Sequence, residues 1–154
     1  MKCLISFCLF CFFSLSSHSE GLSLTDDSGR LIEIDEPPKT IVSLSPHLTE
    51  LLFDLGVGYK VVGTVSFSDY PNSAKSITRI GDASALNLER IIQMDPDLII
   101  AWLSGGSLQS VELLIGLGFK VYVNEINSPR DIASSVEKLG VLVGQQERGL
   151  MLSH

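Results

Sequence analysis

Two hydrophobic patterns divide this chain. Leu22–Thr25 and Leu31–Ile34 are short, largely apolar runs, and Asp26-Asp27-Ser28-Gly29-Arg30 between them is a polar turn with a glycine able to take positive φ. That arrangement predicts a small hairpin. Glu36-Pro37-Pro38-Lys39 follows as a stiff connector. From residue 41 onward, compact apolar runs take turns with helical spacing.

Residues 41–44 predict a buried strand, and Ser45 and Pro46 supply an N-cap and a first-turn proline for the helix after it. Leu48, Leu51, Leu52 and Leu55 give that helix one apolar face until Gly56 and Gly58 stop it. Residues 60–64 predict the next strand, and the polar, turn-rich residues 65–86 predict irregular chain. Asn87 caps a helix with Leu88, Ile91 and Ile92 inward, obliged to stop before Pro96. Leu98–Trp102 predicts a strand ending on the chain's one tryptophan. Ser104-Gly105-Gly106-Ser107 caps a helix with Val111, Leu114 and Ile115 inward and Gly118 as its left-handed stop, and residues 120–123 predict another strand. Ser128-Pro129 repeats the serine-cap, proline-first device and opens a last helix carrying Ile132, Val136, Leu139 and Val143, which lasts almost to residue 154 or past it. Strands alternating with helices imply a parallel sheet with right-handed crossovers. The expected fold class is α/β: a Rossmann-like parallel-sheet lobe behind a short N-terminal hairpin.

The first residues are of another kind. Met1-Lys2 precedes an apolar run from Cys3 to Leu15 and a small polar exit at Ser16-Ser17-His18-Ser19. This is the pattern of a secretory signal peptide, and the run is shorter than the ~20 residues of a membrane span. Cleavage after Ser19 and export are expected. Cys3, Cys8 and Cys11 all fall inside that segment, so the remaining chain would hold no disulfide, thiol nucleophile or thiolate metal site. Phe7 and Phe10 stand where a lipoprotein anchor needs a small residue. The formal charge is −7, and loss of Lys2 makes it more negative. An acidic chain without a basic stripe argues against nucleic acid and against anionic membrane surfaces.

Catalytic chemistry finds little support. Beyond the expected leader only His47 and His154 remain as histidines, and neither Ser43 nor Ser45 lies in a Gly-x-Ser-x-Gly elbow. A small exported hydrolase on this sheet would thus lack its nucleophile and base. Gly56-Val57-Gly58 with Gly63 does not match the dinucleotide fingerprint, and there is no phosphate loop. A metal site would need several carboxylates to join His47 from separate loops. The sheet edge is more informative. Ser45, Pro46 and His47 after the first strand, Phe67 and Tyr70 after the second, and Trp102 after the third should meet where open α/β sheets bind ligands. Phe67, Tyr70 and Trp102 offer flat apolar faces and the backbone near Ser45 offers donors. Each has a plainer alternative: core packing for Phe67 and Trp102, a turn lock for Tyr70-Pro71, a first-turn helix position for His47.

Four motifs in fixed order carry a resemblance: residues 41–51, Ser68-Asp69-Tyr70-Pro71, residues 87–91 and residues 96–102. They resemble the periplasmic vitamin B12 (cobalamin)-binding proteins of ABC importers, within the helical-backbone (class III) substrate-binding proteins that also carry haem, siderophores and metals. The resemblance implies two Rossmann-like lobes joined by a long helix, with ligand held between them. On that expectation residues 1–19 are the signal peptide, 20–38 the hairpin and connector, 39–128 the N-terminal ligand-binding lobe, and 129–154 the start of the connecting helix, with the second lobe absent.

The resemblance further implies a non-enzymatic protein with no cofactor or metal of its own. It would capture cobalamin or a related corrinoid in the periplasm for an ABC transporter permease, touching the membrane only through that complex. Ser45, Pro46 and His47 would shape the floor, and Phe67, Tyr70 and Trp102 would pack on the ligand. Trp102 falls on the family's cleft tryptophan, and Phe67 on an aromatic that is tyrosine in cobalamin binders. Ala83 stands where a second tryptophan can occur, which removes one stacking surface. Glu89 matches a docking glutamate that pairs with arginine on the permease, the alternative being an acid favoured by the helix dipole. Haem or a ferric siderophore is the alternative ligand, although an anionic siderophore complex calls for basic groups that the crevice segments lack.

Overall fold

The computed structural model describes residues 21–82 and 84–154. The expected signal peptide with its cysteines, and Ala83, lie outside the described residues. β1 (Leu22–Thr25) and β2 (Leu31–Ile34) form an antiparallel hairpin. β3 (Ile41–Ser43), β4 (Val61–Thr64), β5 (Thr78–Arg79), β6 (Leu98–Trp102) and β7 (Val121–Asn124) form a parallel sheet in the order β5-β4-β3-β6-β7.

Burial explains why β6 reads as an unbroken apolar run. Leu98 and Ile100 face one layer, where Leu48 and Leu52 of α1 (Pro46–Asp54) and Leu139 and Leu142 of α4 (Pro129–Leu142) pack on them. Ile99 and Ala101 face the other, with Ile91 of α2 (Leu88–Met94) and Val111 and Leu114 of α3 (Leu108–Gly116). A parallel strand covered on both faces has no polar side to show.

The helices start and stop on the residues expected to cap them. The Ser45 and Ser107 hydroxyls and the Asn87 amide oxygen accept from the backbone N–H three residues on, and Ser128 with Asp131 closes a capping box. Gly56 and Gly118 take φ of +80° and +91°. The hairpin turn is fastened to the end of β7: Asp27 Oδ2 accepts from Glu125 N at 2.8 Å, and Asp27 Oδ1 pairs with Lys138 Nζ of α4 at 2.6 Å.

Several details differ from expectation. β5 lies inside the stretch read as irregular, and two residues are too short a strand to show alternation. Ile92, expected inward, is 45% exposed, because a helix as short as α2 turns only Ile91 fully to the sheet. Ile132, also expected inward, is 51% exposed at the start of α4. The last helix is two: Gly144 at φ +76° ends the chain's run through α4, and α5 (Gln146–Leu152) folds back on it. The two helices cross closely, since a Cβ on Gly140 would meet Gly149 Cα at 2.8 Å.

Candidate functional site

Parallel strands deliver their following loops to one edge, and here β3, β4 and β6 bring Ser45-Pro46-His47, Ser66-Phe67-Ser68 and Trp102 to the carboxyl edge of the sheet. Two hollows open there. One, of about 620 Å³, is lined by Pro46, Ser66, Phe67, Asp82 and the loop 104–107. The other, of about 410 Å³, is lined by His47, Glu50, Trp102, Ile126, Ile132 and Val136. No lysine or arginine lines either hollow among the described residues.

Trp102 and His47 form one unit. The imidazole meets the indole edge-to-face, with centroids 5.0 Å apart and planes at 90°. Gly105 lies against the indole, and a Cβ there would come within 1.8 Å of the ring. His47 Nδ1 lies 3.0 Å from Ser45 Oγ, which already accepts from Leu48 N. Burial pushes the His47 pKa below its ordinary value, with the Glu125 carboxylate opposing, so the ring is neutral at pH 7. His47 Nε2 and Trp102 Nε1 are both buried without a partner among the described residues.

Phe67 is presented under strain. Its φ is +68° and it is 82% exposed, whereas a bulky residue ordinarily avoids the left-handed region and an aromatic ordinarily seeks cover. Both flanks are tied down. Ser66 N donates to Gly81 O at 2.8 Å, and Arg79 Nη2 donates to Ser68 O at 2.9 Å. Beneath the loop lie four fully buried hydroxyls, those of Ser43, Thr49, Thr64 and Ser68. Thr49 Oγ1 is 2.7 Å from Thr64 Oγ1, which donates to Ser68 Oγ at 2.8 Å, and Thr49 Oγ1 also lies 2.9 Å from Ser43 Oγ.

The structure thus brings Ser45, His47 and Trp102 into direct contact and sets Pro46 beside Phe67 in the larger hollow. It does not bring Tyr70 there: that side chain is 66% exposed before Pro71 and lines neither hollow. Glu89 is exposed in the first turn of α2, where its carboxylate accepts from Gln93 Nε2 at 3.4 Å. Sequence reasoning missed Gly105's role against Trp102 and the hydroxyl set. The second had a signal: Ser43 interrupts an apolar strand, and Thr49 stands on the inward face of α1.

The periplasmic binding protein family model matches residues 41–154. This chain belongs to that family. It is 37% identical over 114 residues to a vitamin B12-binding protein of Vibrio vulnificus, an alignment covering 74% of this chain and 42% of that protein. The crystal structure of the periplasmic vitamin B12 binding protein BtuF of Vibrio cholerae is 35% identical with a TM-score of 0.73, over 77% of this chain and 46% of that one. A periplasmic heme binding protein from Pseudomonas aeruginosa is 26% identical with a TM-score of 0.71, over 75% and 42%. The chain spans less than half the length of these relatives. In this chain a Rossmann-like α/β lobe carries the loops of interest at one sheet edge.

Proposed function

We propose that this chain is a lobe of an exported, non-enzymatic substrate-binding protein that captures cobalamin or a related corrinoid in the periplasm and delivers it to an ABC transporter permease. The observation that carries this reading is the 35% identity and 0.73 TM-score with a vitamin B12 binding protein. The hollow at the sheet edge supports it chemically. A corrinoid is a broad ring with apolar faces and neutral amides at its rim, and Phe67 with Pro46 offers apolar surface beside the hydroxyls and backbone of Ser66 and residues 104–107. Haem carries two carboxylates, and no lysine or arginine among the described residues lines either hollow to meet them.

In this reading Phe67 and Trp102 pack on the ligand, Ser45, Pro46 and His47 shape the floor, and Glu89 on its exposed helix start meets the permease. A second surface completes the enclosure, because a ligand of that size has about 70–90% of its area covered when bound. Haem is the second reading, supported by the likeness to a heme binding protein. Competition calorimetry with cyanocobalamin and haemin separates the two. Cyanocobalamin should bind more tightly, and preference for haemin would replace the corrinoid reading by the haem one.

A further inference from the structure

We propose that the buried hydroxyl chain Thr49–Thr64–Ser68 is a positioning device that holds Phe67 in its left-handed, solvent-facing conformation. The inference rests on the reading of the Phe67 hollow as a ligand face, and it assigns these residues a role that acts through Phe67.

The geometry runs in one direction. Thr49 lies on α1, Thr64 ends β4 and Ser68 follows the strained residue by one position, so the chain of hydroxyls links helix, sheet and loop at 2.7 and 2.8 Å. All three residues are fully buried. Were Phe67 to relax to negative φ, the backbone on its C-terminal side would swing, and Ser68 Oγ would leave Thr64. Thr64 Oγ1 would keep only its Thr49 partner, and Ser68 Oγ would lose its 2.8 Å bond in a place water does not reach, which costs more than the bond itself was worth. The other anchors of the loop, Ser66 to Gly81 O and Arg79 to Ser68 O, hold backbone atoms on either side. A strained residue persists only where its surroundings over-determine it, and here the surroundings are four polar ties, made by Ser66 N, Ser66 Oγ, Arg79 and Thr64, in place of packing around the ring, which is 82% exposed. A fold-supporting network would have no reason to fix an exposed aromatic in a disfavoured conformation.

The test compares Thr64→Val, which keeps shape and removes the hydroxyl, with Thr64→Ser, which restores it, and with Ser68→Ala at the end of the chain. The readout is the strong intraresidue amide-to-α-proton Overhauser effect that a positive φ gives at Phe67, with urea midpoints in parallel to follow global stability. Thr64→Val and Ser68→Ala should lose that signature while Thr64→Ser keeps it. Cyanocobalamin binding should fall about three- to tenfold in the first two, the scale of one aromatic contact, and recover in Thr64→Ser. If Thr64→Val does not fold, Ser68→Ala carries the comparison alone. Persistence of the Phe67 signature in Ser68→Ala would overturn the proposal. Because that signature needs no ligand, failure of the corrinoid reading would appear separately, as a preference of the unaltered chain for haemin over cyanocobalamin.

Discussion

Replacing Phe67 by glycine should leave the protein more stable than replacing it by alanine, the reverse of the usual order in ordered structure. At φ +68° a residue with a Cβ carries about 1–2 kcal/mol of left-handed penalty. Both substitutions forfeit the same ring contacts, and these are small: the residue is 82% exposed, so of the roughly 1.5–3 kcal/mol that full burial of phenylalanine is worth, only about 0.3–0.5 kcal/mol is at stake. Alanine keeps the penalty. Glycine removes it but brings about 0.5–1 kcal/mol of extra unfolded-state entropy. The difference favours Phe67→Gly over Phe67→Ala by about 0.5–1 kcal/mol, or roughly 1–4 °C in a chain of this size. Urea denaturation of the two variants measures it. Phe67→Ala matching or exceeding Phe67→Gly would refute the strain reasoning, and with it the case for Phe67 as a residue held for its exposure.

Gly105→Ala should force the Trp102 ring outward, since the new Cβ would stand within 1.8 Å of an indole carbon; a stability loss of about 1–3 kcal/mol and red-shifted tryptophan emission are expected, and unchanged emission would show that the loop yields instead. The Asp26 carboxyl, in the hairpin turn, is pushed up by burial but held below its ordinary value overall by bonds from Ser28, Arg30 and Val123 and by the Arg30 guanidinium. A depressed carboxyl stabilises fully above the ordinary range and loses that contribution as pH falls below about 3.8. The urea midpoint should therefore drop more steeply between pH 5 and pH 3 in the unaltered protein than in Asp26→Asn, and parallel curves would contradict the assignment. Glu89→Ala should reduce transport into permease-bearing liposomes while ligand affinity stays unchanged and stability falls by at most about 1 kcal/mol; equal loss of affinity would return Glu89 to the helix-dipole role.

How far the sequence could be read depended on the range of each signal. Caps and stops are local, so Ser45, Asn87, Ser107, Ser128, Gly56 and Gly118 could be placed from their neighbours alone. The covered strands betray themselves by having no polar side, as β6 does. β5 could not be seen, because two residues at a sheet edge carry no period. The break between α4 and α5 turns on Gly140 meeting Gly149 and on Gly144 at positive φ, contacts between residues that only the folded crossing brings together. At the candidate site the aromatic types were legible and their surroundings were not. Trp102 ended a buried strand in plain view, but its contact with bare backbone at Gly105 depends on how the 103–106 loop turns back. Phe67 was identified as an aromatic at the sheet edge, whereas its conformation is set by a hydroxyl chain that runs from α1 through the end of β4 to the loop itself, a juxtaposition only the fold makes. Tyr70 belonged to the same motif and stands exposed, away from both hollows, two residues beyond the loop that Ser66 and Ser68 tie down.

Trp102 is the chain's only tryptophan and lies at the proposed ligand face, so its fluorescence reports on the central claim with no added label. Titration with cyanocobalamin, corrected for absorption with free tryptophan amide, should give saturable quenching at lower concentrations than haemin requires, and the Phe67→Gly variant should shift the midpoint upward. Quenching that never saturates, or saturation by haemin well before cyanocobalamin, would contradict the account.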